Sequence, residues 1–496
     1  MKENNSELKK NIISGFFWKA LENGGDQLIT FVISLVLARL LGPEKYGTMA
    51  LMLIFVSIAN VMIQTGFQTA LIQKKEVDIK DYSSVLYLGL IMALVIYLVI
   101  FAIAPFAAEY FSDDEIGPML RVLSLMLFAG AVVSVQTAYI ARNMDFKKQC
   151  AATVIADILS GAAGIYAALM DMGTWALVLQ QLLKNIFLML ILMMTVSLRP
   201  AAVFSLKRLS SLFSYGWKVL VSGLIDTVYN NIYTPVISKL YSPLTTGLYS
   251  RGNQFPQIIA NSMAQTMQAV MLPAFSKNQD SSDNLASMLR RTIKMGSFVM
   301  FPMMAGLMAV SGPLIEVLLG SAWSDCAPYL MLCALGYSVW PMHVANLQAI
   351  NAQGRSDIYL KLEIIKKLAG AFVLIFSINY GIMTMIFLKS VFDFVCTVIN
   401  AAPNGRLIGY GPLKQWRDVL PEFLVSAFMG AAVYISSKLV SGLTGVFDSP
   451  SGAFFKALVL FLLIAEGVAL YLIPAVIFKL ESLSYLTGII KGYKKR

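Results

Sequence analysis

The sequence predicts an all-α polytopic membrane protein. About 14 transmembrane helices would form two parallel-repeat six-helix lobes, followed by a C-terminal helix pair. Three observations carry this. Of the 496 residues, 57% are hydrophobic and 14% charged, and the mean hydropathy is +0.69. Apolar runs of helix length recur along the whole chain, and the Lys and Arg residues between them collect on alternate loops. Fourteen spans of about 22 residues would use roughly 310 residues, leaving short loops and no room for a soluble domain. That excludes a cytoplasmic enzyme, a disordered scaffold and a single helix anchoring a catalytic domain.

In chain order the first lobe would use residues 13–38, 46–69, 84–106, 117–139, 151–170 and 173–197. The second would use 214–240, 248–272, 292–318, 328–349, 356–378 and 381–402, and the last pair 418–438 and 453–478. The corresponding regions are residues 1–203, 204–410 and 411–496. Residues 356–402 admit one span or two. A turn at Asn379-Tyr380-Gly381 is preferred, because a single span strands the apolar run Phe394–Ala402.

Loop charges set the orientation. With the polar start Met1–Asn11 inside, the inner loops hold Lys74, Lys75, Lys80, Arg142, Lys147, Lys148, Lys207, Arg208, Lys277, Arg290, Arg291, Arg355, Arg406, Lys414, Arg417 and the tail Lys491–Arg496. The outer loops hold Glu109, Asp113, Asp114, Glu115, Asp171, Asp325 and Asp448. This bias predicts that both termini face the cytoplasm. It also explains the net charge of +11, from 39 Lys+Arg against 28 Asp+Glu, without a nucleic-acid partner. The start lacks a cleavable-signal pattern.

A shift of 200 residues reveals an internal repeat. Arg39-Leu40-Leu41-Gly42-Pro43-Glu44-Lys45-Tyr46-Gly47 lies over Lys239-Leu240-Tyr241-Ser242-Pro243-Leu244-Thr245-Thr246-Gly247, and Asp26 over Asp226. One more residue of slip aligns Asn60 and Gln64 with Asn261 and Gln265. Pro43 would fix φ near the start of the second helix, and Gly47 would let the first two helices approach closely. Six helices separate the copies, so both enter the membrane with the same polarity. Two lobes around a central cavity, rocking to open alternate mouths, are then expected.

Charged side chains facing lipid cost about 2.5–3.5 kcal/mol each on insertion scales, so their angular positions matter. Lys19, Glu22, Asn23, Asp26 and Thr30 share one wedge of the first helix, opposite Phe17, Leu28, Phe31 and Leu35. The spacings let Lys19 approach Glu22, and Glu22 approach Asp26. The wedge reads either as the wall of a hydrated cavity or as a structural ion-pair cluster. Ser222, Asp226, Tyr229, Asn230 and Tyr233 repeat the arrangement on the seventh helix; Arg251, Gln254, Gln257, Asn261, Gln265 and Gln268 share a face of the eighth. Asn60, Gln64 and Gln68 form a smaller stripe on the second. Amides donate and accept, which suits a hydroxyl-rich substrate; a packed amide network is the alternative. Lys184 lies mid-helix with no acid three or four residues away, and with Lys19 and Arg251 it is a candidate to attract a phosphate or pyrophosphate. Asp26 and Asp226 are candidates for ion coupling. Asp157, Lys389, Asp393 and Glu466 are further deep charges without an assigned role.

No enzyme motif is present. The chain has no Walker loop, no DDxxD-like diphosphate motif, no H-E-x-x-H and no nucleophile elbow, so no catalytic residue is named. His343 is the sole histidine and reads as a core or cavity residue. Cys150, Cys326, Cys333 and Cys396 form no CxxC pair, so no metal site is expected.

Several motifs carry a family resemblance. They are Gly15-Phe16-Phe17-Trp18-Lys19-Ala20-Leu21-Glu22, Val36-Leu37-Ala38 running into the Arg39–Gly47 motif, and Gly66-Phe67-Gln68-Thr69-Ala70-Leu71-Ile72-Gln73. Ala141-Arg142-Asn143-Met144-Asp145-Phe146, Gly247-Leu248-Tyr249-Ser250-Arg251-Gly252-Asn253-Gln254 and Leu272-Pro273-Ala274-Phe275-Ser276 continue it over nearly the whole chain. The sequence resembles the polysaccharide-export flippases of the multidrug/oligosaccharidyl-lipid/polysaccharide exporter superfamily, and within them the colanic-acid and teichuronic-acid exporters.

The resemblance implies a flippase that moves undecaprenyl-pyrophosphate-linked oligosaccharide units from the inner to the outer leaflet for surface polysaccharide assembly. It implies a place in the bacterial cytoplasmic (inner) membrane, no cofactor and no ATP hydrolysis; coupling to a proton or sodium gradient is proposed for parts of the superfamily. Its partners would be the lipid-linked glycan, membrane lipids, and glycan polymerase and glycosyltransferase proteins. Lys19, Lys184 and Arg251 would line a cationic cavity, although Glu22 and Asp26 lie close enough to Lys19 to neutralise it. A cation-coupled multidrug or small-molecule extruder of the same fold is the alternative, binding its cargo through Asp26 and Asp226. A non-transporting scaffold for glycan synthases would leave the cavity-facing charges unexplained.

Overall fold

Backbone geometry, not a loop, divides the first two predicted helices. In the computed structural model, which describes residues 2–276, 281–444, 446–447, 452–483 and 485, α1 (Lys2–Asn60) bends where Gly42 adopts φ 72° and ψ 176° just before Pro43. Glycine carries no Cβ to oppose this conformation, and proline cannot continue the preceding hydrogen-bond ladder. Lys277, Asp448 and Lys491–Arg496 lie outside the described residues, as do the side chains of Phe16, Phe17, Phe67, Lys207 and Arg208.

A π-helical turn, Val61–Thr65, joins α1 to α2 (Gly66–Gln73). α3 (Ile79–Phe111) starts at a capping box, in which Asp78 accepts from the Asp81 backbone and Asp81 accepts from that of Asp78. There follow α4 (Ile116–Leu123), α5 (Met126–Asn143), α6 (Phe146–Leu169), α7 (Thr174–Thr195), α8 (Leu206–Asn231), α9 (Tyr233–Leu240) and α10 (Pro243–Ser276). Then come α11 (Ser282–Ala309), α12 (Ser311–Leu318), α13 (Ala327–Tyr337), α14 (Trp340–Ala352), α15 (Ser356–Ser377), α16 (Ile382–Leu407), α17 (Pro412–Thr444) and α18 (Ala453–Ile477). The described residues contain no strand. α15 and α16 are separate helices, divided by a short turn at Ile378–Tyr380 and by Gly381 at φ 84°.

Ten helical segments among the described residues are long and apolar enough to cross a membrane. One of them, Leu21–Gln73, takes in most of predicted helix 1 and all of predicted helix 2. α8, α10 and α15 are long but fall outside this set, because their polar faces dilute the apolar character that a span needs. These ten segments cover eleven of the fourteen expected helices, and apolar length alone leaves three of them outside the set. Outward-facing rows such as Leu94, Val95 and Leu98 on α3, and Phe461, Ile464 and Val468 on α18, are suited to lipid.

The chain divides into two compact units, residues 1–247 and 248–496. In the first, Leu37, Met52, Leu120, Leu127, Val178 and their neighbours form the main core. Helix association within lipid depends on close packing, and small residues permit it. α6 presents Ser160, Gly161, Gly164, Ala167 and Ala168 as buried positions. A Cβ on Gly161 would meet Ile33 of α1 at 2.2 Å, and one on Gly164 would meet Gln180 of α7 at 2.6 Å. These contacts draw α1, α6 and α7 together. In the second unit, Met271, Phe275, Ile293, Phe301, Met342 and Val419 share one core, and Phe298, Met429, Val433, Leu463 and Tyr471 another. All four cysteines are buried and free.

The repeat motifs meet inside the first unit. A Cβ on Gly47 would lie 1.7 Å from the Pro243 carbonyl oxygen, and one on Gly247 1.8 Å from that of Pro43. The close approach expected at Gly47 thus joins the two copies of the motif instead of the two halves of α1. The reason is that each Pro–Gly segment lays its bare backbone across the other.

Candidate functional site

The polar wedge of α1 is organised by ion pairs. Lys19 Nζ lies 2.8 Å from Glu22 Oε2, and the buried Glu22 accepts a second bond from Gln149 Nε2 at 2.9 Å. Asp26, one turn further on, faces across to α7 instead of back to Glu22. Lys184 Nζ lies 2.8 Å from Asp26 Oδ1 and 2.7 Å from Asp157 Oδ1, and donates to Thr30 Oγ1 at 3.3 Å. Asp157 is only 1% exposed. Two carboxylates thus share one ammonium where the small face of α6 brings three helices together. Lys184 has no acidic neighbour along its own helix; both of its partners come from others.

The stripe at the C-terminal end of α1 continues through the π turn. Gln64 Nε2 donates to Asn60 Oδ1 at 3.0 Å, and Gln68 Nε2 to Thr137 Oγ1 at 3.0 Å. Gly130 of α5 leaves room for this amide pair, since a Cβ there would lie 2.6 Å from Gln64 Nε2. A π turn re-aims side chains relative to a regular helix. The sequence gives no clear signal for it.

On α8, Ser222, Asp226 and Asn230 are exposed, Tyr229 is half-buried and Tyr233, at the start of α9, is buried. The side chain of Lys218, near the start of this stripe, lies outside the described residues. The polar face of α10 divides into two parts. Its first part is packed: Arg251 is 3% exposed and its guanidinium donates to Gln254 Oε1. Gly252 permits this packing, because a Cβ would meet the Leu330 nitrogen and the Tyr329 Cβ at 2.8 Å each. Further along, Gln257 is half-buried, and Asn261, Gln265 and Gln268 are exposed.

The remaining deep charges also have partners. Lys389 Nζ lies 3.4 Å from Asp393 Oδ2 and 5.6 Å from the Tyr337 ring centroid. Ser436 Oγ donates to Glu466 Oε1 at 2.7 Å. His343 is buried and accepts from Asn400 Nδ2 at 3.0 Å, with the Trp340 ring 5.9 Å away.

The sequence reading missed a second charged cluster, at the ends of α11 and α17. Arg290 reaches Asp418 (2.9 and 3.1 Å) and Glu481 (2.9 and 2.8 Å), while Lys294 lies 2.7 Å from Glu481. A signal was present: Arg290/Lys294 and Asp418/Glu422 are complementary pairs at i, i+4, so each presents two like charges on one helix face.

Comparison with known proteins gives a consistent set of relatives. The family model described as "Polysaccharide biosynthesis protein" matches residues 36–328. The succinoglycan biosynthesis transport protein ExoT of Rhizobium meliloti is 24% identical, over 87% of this chain and 85% of its own length. The teichuronic acid biosynthesis protein TuaB of Bacillus subtilis is 21% identical, over 86% and 89%. Among solved structures, the lipid II flippase MurJ in an inward closed conformation superposes with a TM-score of 0.70 at 15% identity, covering 95% of this chain and 98% of its own. That likeness shows a shared fold.

Proposed function

The chain belongs to the polysaccharide biosynthesis protein family, and from that membership we propose that it is a flippase for undecaprenyl-pyrophosphate-linked oligosaccharide units. It carries them from the inner to the outer leaflet by alternating access of two six-helix lobes, with both termini cytoplasmic. It is a transporter, not an enzyme. ExoT, a transport protein of succinoglycan biosynthesis, supports the cargo class because it is related along most of both chains.

The observation that carries the reading is the exposed amide row Asn261, Gln265 and Gln268 on α10. Hydrocarbon cannot satisfy such groups, whereas a hydroxylated head can both donate to them and accept from them. Moving a charged sugar-phosphate head through lipid without polar substitutes is prohibitive, while the polyprenyl tail can stay in the acyl phase. Lys19, Lys184 and Arg251 supply positive charge near the path, although Lys19 and Lys184 already face carboxylates.

Asp26 is the coupling element of this proposal. Its shared hold on Lys184 leaves one carboxylate in excess, ready to take a proton or sodium ion as the cycle turns; Asp226 is the second candidate. Glycan polymerase and glycosyltransferase proteins are the proposed partners. The same excess negative charge favours a second reading, extrusion of small amphiphilic cations.

Reconstitution into liposomes separates the two readings. With a defined undecaprenyl-pyrophosphate oligosaccharide, an imposed ion gradient and leaflet-specific sugar detection, outward transfer is expected to need the protein and to accelerate with the gradient. Gradient-driven efflux of a cationic dye, with no transfer of the sugar lipid, would establish the extruder instead.

A further inference from the structure

The turn after α18 builds a pocket lined by none of the residues assigned above to transport. Lys479 adopts φ 49°, and the Leu480 nitrogen reaches back to the Ala475 carbonyl at 3.0 Å. This reversal buries Leu480 and Ser482 against the ends of α11 and α17. Lys294, Pro421, Glu422, Leu424, Phe478 and Lys479 are among the residues lining the resulting pocket of about 370 Å³. One wall is charged. The other is apolar, and Leu424 and Phe478 in it are exposed as lipid-facing residues are.

Three carboxylates, of Asp418, Glu422 and Glu481, stand here against the two cations Arg290 and Lys294, which bond chiefly to Asp418 and Glu481. Glu422 is 1% exposed, and its Oε1 accepts from Ser482 Oγ at 2.7 Å. Lys294 stays 4.0 Å from that oxygen, and Glu422 Oε2 has no hydrogen-bond partner among the described residues. A buried carboxylate oxygen without a donor is costly, and an ammonium with N–H groups to spare would satisfy it. Lys479 also lines the pocket and brings a positive charge to it.

The geometry points to a binding site for a phospholipid whose headgroup carries a primary ammonium. The ammonium donates to Glu422 Oε2 after a small rotation of that side chain, the phosphate faces Lys479, and the acyl chains run along Leu424 and Phe478. On the topology expected from the loop charges, this lipid lies in the inner leaflet. The inference is independent of the cargo.

The test uses the full-length protein in bilayers of phosphatidylglycerol with equal amounts of phosphatidylethanolamine and phosphatidylcholine, followed by mass spectrometry of the lipid retained on purification. Phosphatidylcholine has the same charge but no N–H donor. Ethanolamine lipid is expected to be enriched about tenfold over choline lipid, the scale of one hydrogen bond to a charged group. Glu422→Gln should abolish the preference. Leu424→Trp, which fills the pocket from its exposed wall and leaves every ion pair intact, should do the same and decides the matter if Glu422→Gln does not accumulate. Replacing Lys491, Lys494, Lys495 and Arg496 with Gln should leave the preference unchanged, as should soluble phosphoethanolamine at matching concentration. Equal retention of the two lipids by the native chain, a preference that survives Leu424→Trp, its loss on neutralising the tail, or displacement by the soluble headgroup would each overturn the assignment.

Discussion

Gly47 and Pro243 are in backbone contact so close that a methyl group on the glycine would sit 1.7 Å from the proline carbonyl oxygen, and Gly247 stands in the same relation to Pro43 at 1.8 Å. Two segments 200 residues apart in sequence thus exchange the same contact, each supplying both the bare glycine and the carbonyl it rests on.

Gly47→Ala and Gly247→Ala should each be severely destabilising. Overpacking costs about 1–3 kcal/mol when side chains can shift aside, and here the obstacle is backbone. Thermal unfolding in detergent should show a loss of several degrees for each variant. Gly306→Ala is the control: nothing lies within 4 Å of its Cβ position, and alanine favours a helix by about 1 kcal/mol. A Gly47→Ala protein as stable as Gly306→Ala would contradict the contact.

Charge balance in the Asp26–Lys184–Asp157 group predicts non-additive substitutions. Lys184→Gln leaves two carboxylates facing each other, one of them fully buried, and should cost about 3–5 kcal/mol, the scale for breaking a buried pair. Adding Asp157→Asn removes the stranded charge and should restore much of the membrane abundance without restoring gradient dependence of transport. Equal abundance of the single and double variants would mean that the three groups do not act as a unit.

Arg142 is expected to be irreplaceable by lysine. Its guanidinium donates to the carbonyls of Leu71, Ile72 and Lys75 at 3.0, 3.0 and 3.1 Å, and to that of Lys74, closing the end of α2. Lysine keeps the charge but cannot spread its donors over four carbonyls. Arg142→Lys should lower the unfolding temperature almost as far as Arg142→Ala. Hydrogen exchange at residues 68–75 should rise in both.

Acid should loosen the turn after α18. Arg290 above all, then Lys294 and Tyr485, hold the Glu481 carboxyl well below the usual carboxylate range. Its contribution is complete above the unfolded value of about 4.3 and declines as pH falls toward the lowered native value. Hydrogen exchange at Leu480–Leu483, corrected for intrinsic rates, should stay flat from neutral pH down to about 5 and rise below about 4. Glu481→Gln should flatten that profile.

Much of this was legible in the sequence. Apolar period and length located the helices, and Asn379-Tyr380-Gly381 marked the turn between α15 and α16 because glycine takes the positive φ required there. The 200-residue shift found both Pro–Gly motifs, but not that they touch each other. Lys184 was conspicuous for lacking a partner on its own helix. Asp157 could be matched to it only once Gly161 and Gly164 had set how closely α6 approaches its neighbours, a distance that no periodicity encodes. The Arg290/Lys294 and Asp418/Glu422 stripes could have been paired by charge. Glu481, which completes them, lies beyond a reversal at a lysine, where no glycine announces a left-handed turn.

The burial of Cys150, Cys326, Cys333 and Cys396 has a practical consequence. With no native thiol at the surface, a thiol-directed spin label or fluorophore would report only from a position of the investigator's choosing. The unaltered chain is its own background for measuring orientation, with reporters at Lys148 and Lys414 expected to be quenched from the cytoplasm and one at Asp114 from the opposite side.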